Sequence, residues 1–456
     1  MHRRIDVFVV ALFFTAAALL SCSHKKEQVI NAPIVAAKSE LKKSPAEEKL
    51  NWVLAVINEE QEIPSEKALE NHFAPSFLEA VPASQLTGLF KQLQLSLPPV
   101  SIEKIVSKPD EHKLEVQVAT AAEPLKVSIT VNPDSSLLIT GLLFKPVSKS
   151  VLKPLDSFSA VENAIKKDVE SAQLFVAEVK NDKCMPVYEY NAQASFALGS
   201  TFKLWVLDAL LDAIEKETLD WESTLAAKTQ WRSFSADSSY DDGKSQSVQM
   251  LADKMISVSD NTATDILFYT IGRTQVEKSM KKFAQDSRLP MISTRELFII
   301  KLAMDQKARD EFNGLSEIQK RRQLGGMEEQ PLPEMSDALK WEKPIDIDKI
   351  EWFAKPNEIC QTLASLEKRG SDKKLEPVLE ILSKKPGVSI DSKRFPWVGF
   401  KGGSEPGVMY LAYLLKRDDG RLFSVITAHN DTQKPVDGAA LVHATEQLIA
   451  VVGEHE

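Results

Sequence analysis

The segment Ala197-Leu198-Gly199-Ser200-Thr201-Phe202-Lys203 decides how the rest of the chain is read. It opens onto Leu204, Trp205, Val206, Leu207, Ala209, Leu210, Leu211 and Ile214, a run that is apolar nearly all round. A helix with no polar face must be buried. Ser200 falls in its first turn, at the positive end of the helix dipole, and Lys203 stands on the same side within reach of the serine oxygen. Burial disfavours an ammonium ion, so a desolvated Lys203 is a base able to take the serine's proton. The spacing alone decides nothing, because a lysine also follows at the third position after Ser23, Ser39, Ser101, Ser150, Ser279, Ser365 and Ser371. Only Ser200 opens a long apolar run after two alternating strands, at 174–179 and 186–190, and a small-residue turn.

Two further stretches bear on chemistry. Ser259-Asp260-Asn261 lies between two helical patterns, and since all three residues cap helices well, capping alone would explain it. Trp397-Val398-Gly399-Phe400-Lys401-Gly402-Gly403-Ser404 reads as a strand carrying a lysine and then paired glycines. A plain strand gains nothing from paired glycines, so a ligand approaching the backbone closely is the better reading.

The three motifs, in this order over residues 155–456, resemble those of the class A β-lactamases and the wider penicillin-recognising serine acyltransferases. The resemblance implies Ser200 as nucleophile and Lys203 as its activating base. It gives Ser259 the proton for the leaving group, Asn261 the orientation of substrate and lysine, and Lys401 the task of holding Ser259 and attracting an anionic substrate. Gly402, Gly403 and Ser404 would line the substrate, with the amides of Ser200 and Ser404 as an oxyanion hole worth about 3 to 4 kcal/mol per donor. No cofactor is implied, and the seven histidines and three cysteines show no metal-ligand spacing.

The chain departs from that family at two points. Aligned on Glu296-Leu297, Thr294 stands where the family's deacylating glutamate belongs and Phe298 replaces its asparagine. Glu296 is either a displaced base or a charged residue beginning a helix, the second being commoner. Gly402 replaces the hydroxyl residue that binds a β-lactam carboxylate. Both departures favour ester or acyl-transfer chemistry over fast penicillin hydrolysis.

Outside this region, Arg3 and Arg4 precede an apolar run at 7–20 that ends in Leu19-Leu20-Ser21-Cys22, which resembles a bacterial lipobox. This implies residues 1–22 as a signal peptide, lipidation at Cys22 and a place in the cell envelope, in the periplasm or outer membrane if the cell has two membranes. Residues 23–47 read as a tether. Residues 48–150 read as helices followed by strands at 113–120, 125–131 and 137–144, resembling the NTF2/ketosteroid-isomerase cone and expected to be a spacer or binding module. Residues 151–456 form the hydrolase domain. Its expected fold is α+β, an antiparallel sheet closed by both termini with a helical subdomain. The layout, with the Phe400 to Val408 run, is most similar to the two-domain β-lactamase-like esterases of the clavulanate-biosynthesis type.

A chain that is 43% hydrophobic and 27% charged is globular, and a net charge of -9 offers no basic face to nucleic acid. Expected partners are a small β-lactam or ester, peptidoglycan fragments, and the membrane through the lipid anchor. Cys184 and Cys360 are expected to be free thiols. A D,D-peptidase-like penicillin-binding protein and a non-catalytic binding lipoprotein are the competing readings. Against the second, Ser200, Lys203, Ser259 and Lys401 have no shared structural role.

Overall fold

The structure, a computed structural model, describes residues 44–455 apart from 82, 121–123, 135, 147–154, 236–239, 241–243, 286, 335–337, 339, 340 and 389. Cys22, the expected signal peptide and most of the expected tether lie outside the described residues. The chain divides into two units, Met1–Lys149 and Ser150–Glu456.

In the first unit, α1 (Pro45–Ile57) begins earlier than the apolar periodicity suggests. Ser44 and Glu47 form a capping box there, with the Ser44 amide donating to Glu47 Oε2 at 2.7 Å, and Pro45 occupies the first helical position. Short helices α2 (Glu66–Leu69) and α3 (Pro75–Ala80) lead to α4 (Ala83–Ser96). The strands β1 (Ser101–Asp110), β2 (Lys113–Ala119), β3 (Leu125–Val131) and β4 (Ile139–Pro146) then form one antiparallel sheet in that order. Alternation along β3 buries Leu125, Val127, Ile129 and Val131 in one core with Leu50, Val53 and Ile57 of α1. Strand β1 is not foreseen from sequence. All ten of its residues are exposed at the sheet edge, so it carries no alternating apolar signal.

The second unit starts with α5 (Phe158–Ile165), β5 (Ser171–Lys180), β6 (Lys183–Tyr190) and β7 (Phe196–Ala197), followed by a 3-10 turn at Gly199–Phe202 and α6 (Lys203–Glu215). The middle contains β8 (Thr224–Ala226), β9 (Ser245–Ser247), α7 (Val248–Ser257), α8 (Asn261–Ile271), α9 (Arg273–Phe283), α10 (Thr294–Phe298), α11 (Gln306–Gly314) and α12 (Glu317–Gly326). After β10 (Phe353–Ala354), α13 (Pro356–Arg369) and α14 (Pro377–Ser383), the chain returns to β11 (Trp397–Glu405), β12 (Val408–Lys416) and β13 (Leu422–Asn430) and ends in α15 (Gly438–Glu454).

The five long strands form one antiparallel sheet in the order β11-β12-β13-β5-β6, so strands from both ends of the unit meet at the β13–β5 pairing, the α+β arrangement expected. Its two faces serve two cores. Val176, Tyr413, Val425 and Phe423 pack under α15 with Leu441, Leu448 and Val452. Phe175, Tyr410, Ala412 and Ile426 face the helical side with the apolar residues of α6. β12 is therefore buried along nearly its whole length, while β11 is left as the edge that faces the helical subdomain.

The expectation of free thiols is corrected. Cys184 on β6 and Cys360 on α13 form a disulfide, with a Cα–Cα distance of 6.3 Å across 176 residues of sequence. Packing of α13 against β5 and β6 brings them together, a long-range consequence of the fold that spacing does not reveal. A bridge closing so long a loop restricts the unfolded chain strongly, so Cys360→Ser is expected to lower stability by about 3 kcal/mol, read as a drop in denaturant midpoint at constant slope.

Candidate active site

The structure draws the three motif segments together. The expected first helical turn around Ser200 is instead the 3-10 turn Gly199–Phe202, and α6 begins at Lys203. Gly199 adopts φ +49, a left-handed conformation glycine takes at no steric penalty, and this turns the chain sharply from β7 into the helix. Beyond the turn, α6 is buried from Lys203 through Leu211, as its apolar sequence requires.

Lys203 is fully buried on that helix. Its amine donates to the backbone oxygen of Ser259 at 2.6 Å, to Asn261 Oδ1 at 2.7 Å and to Ser259 Oγ at 3.3 Å. Desolvation lowers its pKa from the ordinary lysine range to about 7, against the opposing pull of Asp260 and Asp265. Lys401 reaches the same hydroxyl from β11, 2.9 Å from Ser259 Oγ, and also donates to the Gly402 carbonyl at 2.6 Å. Burial holds Lys401 well below the usual lysine range, and repulsion from Lys203 pushes it the same way. Ser259 Oγ thus accepts from two buried amines, which leaves its own hydrogen to point to a third group. Ser259 itself sits at φ 56, in the left-handed region where a non-glycine residue is strained, and such strain gathers at functional sites.

The Ser-Asp-Asn tripeptide serves as cap and as site at once. Asp260 is the N-cap of α8, accepting from the Ala263 amide at 2.6 Å, while Ser259 and Asn261 face Lys203 on either side of it.

Strand β11 lies directly against the Ser200 turn. A Cβ on Gly403 would meet the carbonyl carbon of Gly199 at 2.7 Å and would come closer still to Leu198 O and Ser200 N. A Cβ on Gly199 would meet the Ser404 amide nitrogen at 2.8 Å. Glycine at 403 is therefore required by the approach of its own protein's backbone, where the sequence suggested a ligand's. The same contact sets the Ser200 and Ser404 amides on either side of one junction. For Gly402, on the alternate face, the atoms nearest an added Cβ are the side chains of Phe400 and Leu411 and the Tyr410 carbonyl.

Glu296 is not a free base. It completes a capping box with Ser293, accepting from the Ser293 amide at 2.7 Å, and pairs with both terminal nitrogens of Arg273, at 2.5 and 3.0 Å. Thr294 comes close to the site, its hydroxyl donating to the Asn261 carbonyl at 3.2 Å, with Asp265 receiving its amide at 2.9 Å. One turn on, Phe298 packs edge-on against Phe234, with ring centroids 4.7 Å apart. The segment aligned with the family's deacylating loop so presents a hydroxyl and an aromatic ring.

The segment at 351–354 carries residues that hold the Ser200 turn and that sequence reading missed. Glu351 Oε2 accepts the Gly199 amide at 3.2 Å, the Trp352 carbonyl accepts the Leu198 amide at 2.9 Å, and the Trp352 ring stacks on Phe202 at 3.6 Å. β10 then pairs with β7. No local motif marks this stretch. Its only signal is one carboxylate before an aromatic residue.

Only the amine form of Lys203 can accept a proton. The rate at which a substrate acylates the protein is therefore expected to rise with pH through about 7 and then level off, as measured by pre-steady-state product release. A rate constant that stays flat between about pH 5.5 and about 8.5 would contradict that role for Lys203.

Residues 157–322 match the model of the beta-lactamase enzyme family, a stretch that holds Ser200, Lys203, Ser259 and Asn261 and stops short of Lys401. Residues 41–137 match a model described as the N-terminal part of an ORF 12 gene product. Among solved structures, the chain is similar to a β-lactamase of Sphaerobacter thermophilus, with 16% identity over 64% of this chain and 94% of that one and a TM-score of 0.45. A class A β-lactamase representative from Bacteroides cellulosilyticus gives 18%, 65%, 97% and 0.44 in the same order, and PBP-A gives 12%, 65%, 96% and 0.43. No curated protein matches the chain. The second unit is an α+β fold, a five-stranded antiparallel sheet with a helical subdomain, and residues 157–322 within it match the beta-lactamase enzyme family model.

Proposed function

We propose that the protein is a serine hydrolase of the cell envelope that works through an acyl-enzyme on Ser200, acts on esters and related acyl compounds, and turns over β-lactams slowly. The observation that carries this reading is the Ser259 hydroxyl held between two buried amines of lowered basicity, Lys203 at 3.3 Å and Lys401 at 2.9 Å, one of them in the turn that follows Ser200. Two adjacent buried lysines sharing one hydroxyl serve stability poorly, since each loses hydration and each repels the other.

In this mechanism neutral Lys203 takes the Ser200 proton as Oγ attacks the substrate carbonyl carbon. The oxyanion so formed is stabilised by the amides of Ser200 and Ser404. Collapse breaks the bond to the leaving group, which receives its proton from Ser259. Ser259 is reprotonated from Lys203, returning the amine to its starting form and leaving an acyl ester on Ser200. Water then releases the acid. Lys401 keeps the Ser259 hydroxyl in place and adds positive charge for an anionic substrate. Thr294 and Phe298 give no carboxylate to activate that water and Glu296 is committed to Arg273, which supports slow deacylation. Lipidation at Cys22 would hold the protein at a membrane, and the first unit would act as a spacer or binding module of the NTF2-like kind.

The test is a parallel assay of short-chain aryl esters, a 3′-acetoxy cephalosporin and a penicillin. The reading expects ester hydrolysis with a burst of alcohol release followed by a slower steady rate, and penicillin giving a long-lived adduct. Fast penicillin turnover with no ester hydrolysis would contradict it. The lack of a carboxylate at positions 294 and 298 also suits a D,D-peptidase, which release of D-alanine from a stem peptide would identify.

A further inference from the structure

Behind the Ser200 turn lies a group of buried charges that the mechanism above does not use. Lys301, in a single π-helical turn at Ile299–Ala303 that continues α10, has a side chain with no exposed surface. Its amine is 3.5 Å from Glu351 Oε1 and closer to Glu405 Oε1. The Trp341 ring covers it, with its centroid 5.5 Å from the amine. Burying an ion pair without further partners is destabilising on balance, and burying two carboxylates on one amine is more so. Such a group persists where its geometry has a use.

The geometry is specific. Glu351 holds the Gly199 amide, one residue before Ser200, through Oε2 at 3.2 Å, and reaches Lys301 through its other oxygen. Glu405 ends β11, one residue after Ser404. Lys301 therefore joins two carboxylates, one bonded to the amide of the residue before Ser200 and the other carried by the residue after Ser404. Their separations along the chain, 50 residues for Glu351 and 104 for Glu405, mean that only the folded unit assembles them. Burial raises the Glu405 carboxyl well above the usual range, with Lys301 opposing and Glu351 adding to the rise.

Resting on the Ser200 reading above, we infer that Lys301 is a positioning residue for the oxyanion hole, fixing the spacing of the Ser200 and Ser404 amides through Glu351 and Glu405. It touches neither substrate nor the reacting atoms. It acts on the rate of acylation and leaves ground-state binding unchanged, because an oxyanion exists only after attack.

The experiment uses an aryl phosphonate monoester, whose attack by Ser200 releases one equivalent of phenol and leaves a phosphonyl oxygen in the oxyanion position. Rates are measured over a range of probe concentrations for the purified protein and for Lys301→Met, Glu351→Gln and Glu351→Leu. Lys301→Met and Glu351→Leu are expected to lower the maximal labelling rate by about 100-fold or more, with the half-saturating concentration moved less than about threefold. Glu351→Gln keeps one oxygen for the Gly199 amide but offers Lys301 no second acceptor, and is expected to recover only part of that loss; a Glu351→Gln protein that labels at the unaltered rate would overturn the role of Lys301. Equal rates for Glu351→Gln and Glu351→Leu would overturn the inference, as would a Lys301→Met protein that melts lower and labels at the unaltered rate. Should Lys301→Met not fold, the Glu351 pair decides. Failure of the unaltered protein to label at all would instead overturn the Ser200 reading beneath it.

Discussion

Ser200→Ala and Lys203→Met are each expected to reduce ester hydrolysis by about 10,000-fold or more, and the double variant should be no worse than the weaker single. The expectation follows from the two residues acting as one unit. Without its base, the Ser200 hydroxyl keeps its proton at neutral pH, and without the hydroxyl, Lys203 has nothing to activate. Methionine at 203 matches the length of the lysine stem inside a buried helix, so loss of activity there reflects the missing amine. It leaves Asn261 Oδ1 and the Ser259 carbonyl without their donor, a penalty of about 1 to 3 kcal/mol that a melting curve reads separately. A double variant about 10,000-fold worse than either single would mean that the two act independently and would contradict the assignment.

Gly403→Ala is expected to have the second-largest effect, lowering kcat by about 1,000-fold and stability by about 2 to 3 kcal/mol. The atoms nearest its added methyl are backbone of the 198–200 segment, which is pinned from behind by Glu351 and Trp352 and has no freedom to retreat. Either β11 leaves the turn or the turn distorts. Both outcomes move the Ser404 amide away from that of Ser200. Gly402→Ala is the control, because its methyl meets chiefly the rotatable rings and branches of Phe400 and Leu411, and a loss of less than about tenfold is expected. Parallel steady-state kinetics and thermal melts check both variants, and equal behaviour of the two would refute this account of the junction.

Much of this was legible in the sequence where the signal is local. The β3 alternation, the all-round apolar face of α6 and the Asp437 cap before α15 each mark an element through its own residues. The site motifs were legible for the same reason, since Ser200 with Lys203 and Lys401 with Gly403 sit a few residues apart in the chain. What stayed hidden depends on pairing across the fold. β1 has no buried face to mark it, Cys184 and Cys360 meet only through α13, and Glu351 gains its meaning from a glycine amide 152 residues away. β11 runs through Glu405, although glycines weaken its strand signal, because nine cross-strand pairs with β12 hold it. Glu296 was legible as either base or cap, and only the position of Arg273 decides between them.

The central claim, that Ser200 becomes acylated, is tested most directly by intact-protein mass spectrometry. The protein and its Ser200→Ala variant are each incubated with a penicillin and with a 3′-acetoxy cephalosporin, and the modified peptide is then mapped. The account predicts a single covalent adduct on the peptide containing Ser200, slow to decay with penicillin and absent from the alanine variant. An adduct that persists in Ser200→Ala, or that maps to another residue, would contradict it.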